Sequence, residues 1–359
     1  MGYRARGLFA NQVAAGRAVI LYRERGKLTA LFVFLRQVFD LRPGLIYVLN
    51  IGCAGAGCAL FYRLLFSIPY VIDTGDLLYE MAVLTRQGNC LYRQFLRICE
   101  WLTLKLSAWI VVRGSEHVSW LRRRGYRAYL IPDGIWPGHS RPLDVTNWRR
   151  QLGLTDQFVV GVVGSCRWSP ALDWAYGLDL VEIMAHLKQY PVRGIMVGDG
   201  DGLAMVKERA QRAGVEERIL FVGRVSYSQL PRWINLFDFA LSTQNNTPAA
   251  RVRTTGKLPE YLACGRYVIA SRVGEAARLL PPEMLVEYIG RRDHTYAGRA
   301  AGRIARVITR QKKPPLFFPG GVKIARENFD YALLARRLSQ LIWSERDDET
   351  TQGAGQINL

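Results

Sequence analysis

The sequence predicts an α/β protein built of two modules in tandem, each a parallel sheet covered by helices. Three observations lead there. The chain has 359 residues, enough for two ordinary cores. Short β-branched runs alternate with amphipathic stretches throughout, the pattern of parallel sheets with helical crossovers. That alternation stops over Trp136–Thr155, where Pro137, Gly138, Pro142 and Gly153 stand without apolar periodicity, and then restarts. The interval reads as an interdomain linker.

In the first half, strands are expected at Ala18–Tyr22, Leu45–Asn50, Tyr70–Asp73, Trp109–Val112 and Tyr129–Ile131. Helices are expected at Leu28–Asp40, Ala56–Phe66, Tyr92–Ser107 and Glu116–Arg124. In the second half, FVVGVVGS (Phe158–Ser165) reads as a buried strand with a glycine turn, followed by a helix at Leu172–Gln189. GIMVGDGDG gives strand and turn. A helix at Leu203–Ala213, a strand at Ile219–Val222, a helix at Ser228–Leu236 and a strand at Asp238–Ser242 complete the run. A closing helix is expected at Val322–Ile342 and a frayed polar tail from Arg346.

Composition narrows the class. Lys and Arg number 49 against 30 Asp and Glu, a net charge of +19. Residues 1–150 hold 21 basic and 9 acidic residues, so +12 of the excess lies there. Such an excess favours anionic partners, but no aromatic-and-basic recognition motif supports nucleic acid. No apolar run reaches spanning length, and Met1–Ala10 has no secretory pattern, so a cytoplasmic location is expected. The six cysteines lack CxxC spacing and read as reduced, mostly buried thiols. Asp199 and Asp201 form an Asp-x-Asp, read as a turn with an N-cap rather than a cation site. The four histidines read as surface or linker residues. The GxxGxG order of Gly52, Gly55 and Gly57 is a poor dinucleotide fingerprint.

The segment TTGKLPEYLACGRYVIAS, Thr254–Ser271, carries the chemistry. A helix starting near Gly256 would turn its free amides and positive dipole end toward an anion. Gly256 has no side chain to obstruct a phosphate, and Lys257 adds a cation. Glu260, one turn on, suits ribose hydroxyls.

KLPEYLACGRYVIAS resembles the signature of family 4 glycosyltransferases, also described as glycosyl transferases group 1. FVVGVVGSCR, IMVGDGDGLAMVKERAQRAGV, ILFVGRVSYSQLPRWINLFDFALST, IPYVIDTGD and LIPDGI resemble further parts of that family in matching order. The resemblance implies two facing Rossmann-like domains of the GT-B fold with a deep interdomain cleft. It implies an acceptor-side domain at 1–145, a donor domain at 146–325, a returning C-terminal helix at 326–345 and a flexible tail at 346–359. The implied activity is transfer of a hexose from a UDP- or GDP-sugar to a lipid-linked or surface-polysaccharide acceptor, with retention of configuration and without a metal or resident cofactor. Arg167, Lys257 and Asp76 would be the catalytic residues. Gly164, Arg253, Thr255, Gly256 and Glu260 would hold the nucleotide sugar.

Two departures stand out. Eight residues before Glu260, where the family has a second glutamate, the sequence has Val252. Tyr176 stands where a lysine often begins the first donor helix. These features define an alternative: a catalytically inactive relative that binds a nucleotide sugar or serves as a scaffold. The charge of the first half, including Arg122, Arg123, Arg124 and Arg127, and its apolar segments Leu28–Leu35 and Ala59–Tyr70 suggest peripheral contact with an anionic membrane surface at the inner face of the cell membrane.

Overall fold

The computed structural model describes residues 2–23, 26–311 and 313–353. In chain order the first half contains α1 (Tyr3–Ala14), α2 (Lys27–Leu41), β1 (Ile46–Leu49), α3 (Cys53–Phe66), β2 (Tyr70–Thr74), α4 (Leu78–Leu84), α5 (Cys90–Lys105), β3 (Trp109–Val112), α6 (Ser115–Arg122) and β4 (Ala128–Leu130). The second contains α7 (Thr146–Gln151), β5 (Phe158–Val163), β6 (Trp168–Ser169), β7 (Trp174–Ala175), α8 (Leu178–His186), β8 (Val192–Val197), α9 (Leu203–Arg212), β9 (Ile219–Gly223), α10 (Leu230–Ile234) and β10 (Phe239–Ser242). It continues through α11 (Pro248–Arg251), α12 (Lys257–Ala263), β11 (Tyr267–Ser271), α13 (Gly274–Leu279), β12 (Leu285–Val286), α14 (Tyr296–Gln311) and α15 (Pro319–Phe329). The last helix is α16 (Tyr331–Gly353).

Two parallel sheets organise these elements, one in the order β1-β2-β3-β4 and one in the order β12-β11-β10-β5-β8-β9. In the second, β5 follows β10 across the sheet although β10 comes later in the chain. This reversal of strand order opens a crevice at the carboxyl ends of the strands. Residues on both faces of this sheet are buried. Phe158, Val160, Phe239 and Ile269 lie under α8 and α14, and Val159, Phe237, Ala240 and Val268 lie under α12 and α15. Ala297, Ala300, Ala301, Ile304 and Ile308 form the buried stripe of α14, at the i, i+3, i+4 spacing of a helix face. Buried Asp238 is fully engaged: it accepts from Val159 N (2.8 Å), Leu316 N (2.7 Å) and Arg149 Nη2 (3.1 Å).

The first sheet is narrower. Ala59, Leu104, Val118 and Leu121 cover one face from α3, α5 and α6. Leu8 of α1 and Leu334 and Leu338 of α16 cover the other. The last helix thus lies on the first sheet, and the chain crosses between domains twice. The crossings are bonded side by side, Ile135 N to Phe329 O (2.7 Å) and Tyr331 N to Ile135 O (3.0 Å).

Several expectations are corrected. Residues 18–22 form no strand and pair with neither edge of the first sheet. The helix expected at Leu172–Gln189 begins at Leu178, because Asp173 (φ 45°) and Gly177 (φ 106°) shape the β6–β7 hairpin first. The linker contains α7, anchored by buried Arg149. The closing helix breaks at Asp330, whose extended backbone separates α15 from α16. Helix α16 runs to Gly353, so 346–353 of the expected tail is helical, and 354–359 lies outside the described residues. Cys53 and Cys90 are exposed, leaving Cys58, Cys166 and Cys264 as the buried thiols.

Candidate active site

A cleft of about 1220 Å³ lies between the carboxyl ends of the two sheets. Arg167, Lys257, Asp76, Gly164, Arg253, Thr255, Gly256 and Glu260, chosen from sequence, all line it. Each reaches the wall by a local necessity of the chain. Gly164 ends β5, where any Cβ would collide with the ring of Tyr176. Gly198, at φ 141°, crosses so near the Gly164 carbonyl that a side chain there would clash as well. Gly256 faces open space, with nothing within 4 Å of where its Cβ would stand.

One end of the cleft is built for hydrogen bonding. Glu260, buried on α12, accepts from Tyr227 Oη (2.7 Å) and from Ser140 Oγ. Tyr227 stacks on His139 (ring centroids 4.4 Å apart) and on Tyr3 (4.4 Å), with Trp136 at 6.3 Å. A carboxylate has about four lone-pair sites, so Glu260 keeps acceptor capacity beyond these two donors. Burial and the Glu260 charge push the Tyr227 phenol well up, which keeps it a neutral donor.

The cleft wall also carries cations. The side chain of Lys257 is half-buried, but its amine tip is enclosed, 3.6 Å from the Tyr176 ring centroid and bonded to its hydroxyl. Burial pushes this amine down to about 7, because the charged form is the one desolvation penalises. Lys257 and Glu260 do not meet, although one helix turn separates them. Arg167 is exposed and makes no hydrogen bond or ion pair among the described residues. Arg113, Arg291 and Arg292 join it on the wall.

The domains touch across the cleft. Asp76 forms an ion pair with Arg253 (2.8 Å), so the residue expected to position an acceptor is engaged by one expected to hold the donor. Thr254 Oγ1 donates to Arg113 O (2.5 Å), Ser115 N to Glu275 Oε1 (2.6 Å) and Arg291 to Leu84 O. Gly114 lies so close to the Val252 carbonyl that a side chain would displace it. Val252 is itself buried, and the carboxylates on the cleft wall are Asp76, Asp133 and Glu260.

Asp73, within β2, is not on the cleft wall. It is fully buried, accepting from Arg4 Nε (2.8 Å) and Tyr47 Oη (2.8 Å), with Arg113 Nε at 3.7 Å. Arg4 also donates to Ile131 O and Pro132 O, pinning α1 to the sheet end. Asp201 is no N-cap. It accepts from Trp168 N (2.8 Å) and ties down the hairpin, while Gly202 precedes α9 without a side-chain cap. His117 is fully buried rather than at the surface. Sequence reasoning missed Tyr227, Ser140, Tyr3 and Arg113, which carry no local motif and meet the site only through long-range packing.

Residues 157–290 match the family model described as glycosyl transferases group 1. That segment of the second domain is similar to the group 1 glycosyltransferases. The group 1 segment contains Gly164, Arg167, Arg253, Thr255, Gly256, Lys257 and Glu260. Sucrose-phosphate synthase from Thermosynechococcus elongatus superposes with a TM-score of 0.72 at 20% identity, covering 91% of this chain and 80% of that one. HepE from Anabaena, in complex with UDP-glucose, gives 0.70 at 18% identity, over 94% and 89%. A glycosyltransferase from Rickettsia africae gives 0.66 at 13%, over 94% and 87%. Among curated proteins, none matches the sequence significantly. The fold is therefore GT-B, with two Rossmann-like domains facing one another, and the enzyme class is glycosyltransferase.

Proposed function

We propose that the protein transfers a hexose from a UDP- or GDP-linked donor to a lipid-linked or surface-polysaccharide acceptor at the inner face of the cell membrane, with retention and without a metal. The observation that carries this reading is that one cleft brings together a hydrogen-bonding carboxylate, Glu260, and several cations, Arg167, Lys257 and Arg253 among them. Glu260 accepts the ribose hydroxyls. Arg167, Lys257 and Arg253, with the amides around Thr255 and Gly256, take the diphosphate. HepE was solved with UDP, with UDP and glucose, and with UDP-glucose, which supports a uridine donor.

The chemistry needs negative charge stabilised as the nucleoside diphosphate departs. Preorganised cations on the cleft wall serve that end. An arriving diphosphate restores the charge on Lys257 and draws its amine off the Tyr176 ring. Asp76, released from Arg253, positions the acceptor hydroxyl.

Incubation with a panel of sugar nucleotides, read as hydrolysis and as thermal shift, tests the reading; silence toward every UDP- and GDP-hexose would overturn it. Glu260→Gln removes one charge-assisted acceptor and should weaken donor binding by about 1.5–3 kcal/mol. Unchanged affinity by isothermal titration would take Glu260 out of the site. The enclosure of Lys257 and the burial of Val252 favour a second reading, a nucleotide-sugar-binding protein without turnover. It predicts a thermal shift with no hydrolysis or transfer.

A further inference from the structure

The large exposed apolar side chains are distributed very unevenly. On α5, Leu91 (79% exposed), Phe95 (60%), Ile98 (61%) and Leu102 face outward, at intervals of four, three and four residues, one stripe of a helix. On α2 the outward residues are Leu28 (75%), Phe32 (70%) and Phe39, and on α3 they are Phe61, Leu64 and Leu65. Helix α2 packs on α3. Cys53 of α3 lies within electrostatic reach of Cys99 of α5, and Ala59 and Leu104 share the core beneath them. The three helices therefore form one layer on the first sheet, and its outer surface is greasy.

Its charge is one-sided. Arg36, Arg63, Arg97 and Lys105 are exposed on these helices against the single exposed acid Asp40. Glu100, the other acid, is buried and accepts from Leu78 N (2.7 Å) and Tyr79 N (3.2 Å). Large apolar side chains ringed by Arg and Lys on a surface helix are the composition that enters the headgroup region of an anionic bilayer. A second copy of the same face would bring like charges together, which association disfavours.

We propose that the outward faces of α2, α3 and α5 dock on an anionic lipid bilayer and hold the cleft beside the membrane. Glu100 makes the link: by bonding the first amides of α4 it fixes that helix on α5, and α4 carries Met81 and Leu84 to the cleft wall. A lipid-linked acceptor can then keep its tail in the bilayer while its head group enters the cleft. The proposal rests on the reading above only for the acceptor; docking itself does not require it.

The full chain is sedimented with vesicles of phosphatidylcholine, alone or mixed with phosphatidylglycerol, at low and high salt. Binding is expected to the mixed vesicles only, and to weaken with salt. The variant L91S/F95S/I98S should bind about tenfold or more weakly, since buried apolar area drives insertion. R63Q/R97Q/K105Q should lose most of the salt-sensitive part of the binding, a drop of about tenfold or more at low salt. Circular dichroism and titration with UDP, run on the same variants, check that the fold and the cleft are intact. Failure of UDP to bind any form would overturn the donor reading and leave docking standing. Binding to neither vesicle, equal binding to both, or binding that survives both variants overturns the docking face. So does a dimer abolished by L91S/F95S/I98S without vesicle binding, which would assign the face to a second copy.

Discussion

The two halves of the molecule share an architecture and differ in how completely they cover it. The second sheet has six strands and apolar cores on both faces, and its exposed large apolar side chains are few and scattered: Leu220, Ile289 and Phe317. The first has four strands, and α2, α3 and α5 turn more large apolar side chains outward than inward. Its ends are held by charge instead, through Arg4, Asp73, Tyr47 and Arg113. One domain is closed by its own packing, while the other is stitched at the cleft end and open on its outer helical face.

The largest test of that contrast is a pair of phenylalanines. Phe239, fully buried in β10 beside Phe158 (6.1 Å) and Tyr267 (5.8 Å), should cost about 3–5 kcal/mol on change to alanine, read from urea denaturation. The matching change at Phe95 closes the series below.

The next test lies in the open half. His117 is fully buried, and Nδ1 and Nε2 have no hydrogen-bond partner among the described residues. Burial pushes its pKa down to about 4, from an ordinary histidine value of about 6.5. The unfolded chain therefore binds the extra proton between those values, and stability falls as the pH drops through that window. The loss is roughly 3 kcal/mol by pH 4, and His117→Leu should abolish this pH dependence. An acid limb unchanged in the variant would place the sensitivity elsewhere.

Lys257 gives a smaller, donor-side effect. Its amine is pushed down to about 7 in the empty cleft and must be charged to hold a diphosphate. Donor binding therefore takes up a proton above that pH. Affinity should weaken by up to about tenfold per unit above pH 7, with proton uptake visible by calorimetry in buffers of different ionisation heat. Flat affinity would mean the diphosphate never meets Lys257. Smallest of all, Phe95→Ala should change stability by less than about 0.5 kcal/mol. A larger loss would show that the outer face of α5 is packed after all.

The strands are legible in both halves: β1 to β4, and β5, β9 and β10, lie within a residue or two of their expected bounds, because a buried strand reads as a short continuous apolar run. Thr254–Ser271, the family resemblance of FVVGVVGSCR and the rule that ligands meet strand ends together chose eight residues that share a cleft. Helix α1 was invisible because its buried residues are Arg4, Ala5, Gly7 and Leu8, too little apolar surface to show a period. Arg4 is there to meet a carboxylate 69 positions away. Ser140 and Tyr227 lie 120 and 33 residues from Glu260, and nothing local announces such meetings. Asp73 and Asp76 follow the same strand end, and only the position of Arg4 decides which of them is buried.

The paired crossings at Ile135 and Phe329–Tyr331 act as adjacent straps of a single hinge. A rotation of one domain about the line through them leaves nearby groups almost still and swings distant ones. Ser140, Trp136 and Tyr331 belong to the straps or adjoin them, and Trp136 packs on Tyr331 (4.6 Å) and Tyr227 (6.3 Å). Glu260, bonded to Ser140 and Tyr227, therefore sits near the pivot. The bonds that opening must break are the interdomain ones, Asp76 to Arg253, Arg113 to Thr254 and Ser115 to Glu275. Such a door keeps its lock plate at the jamb: the bonds around Glu260 can stay made while the Asp76 side still stands ajar.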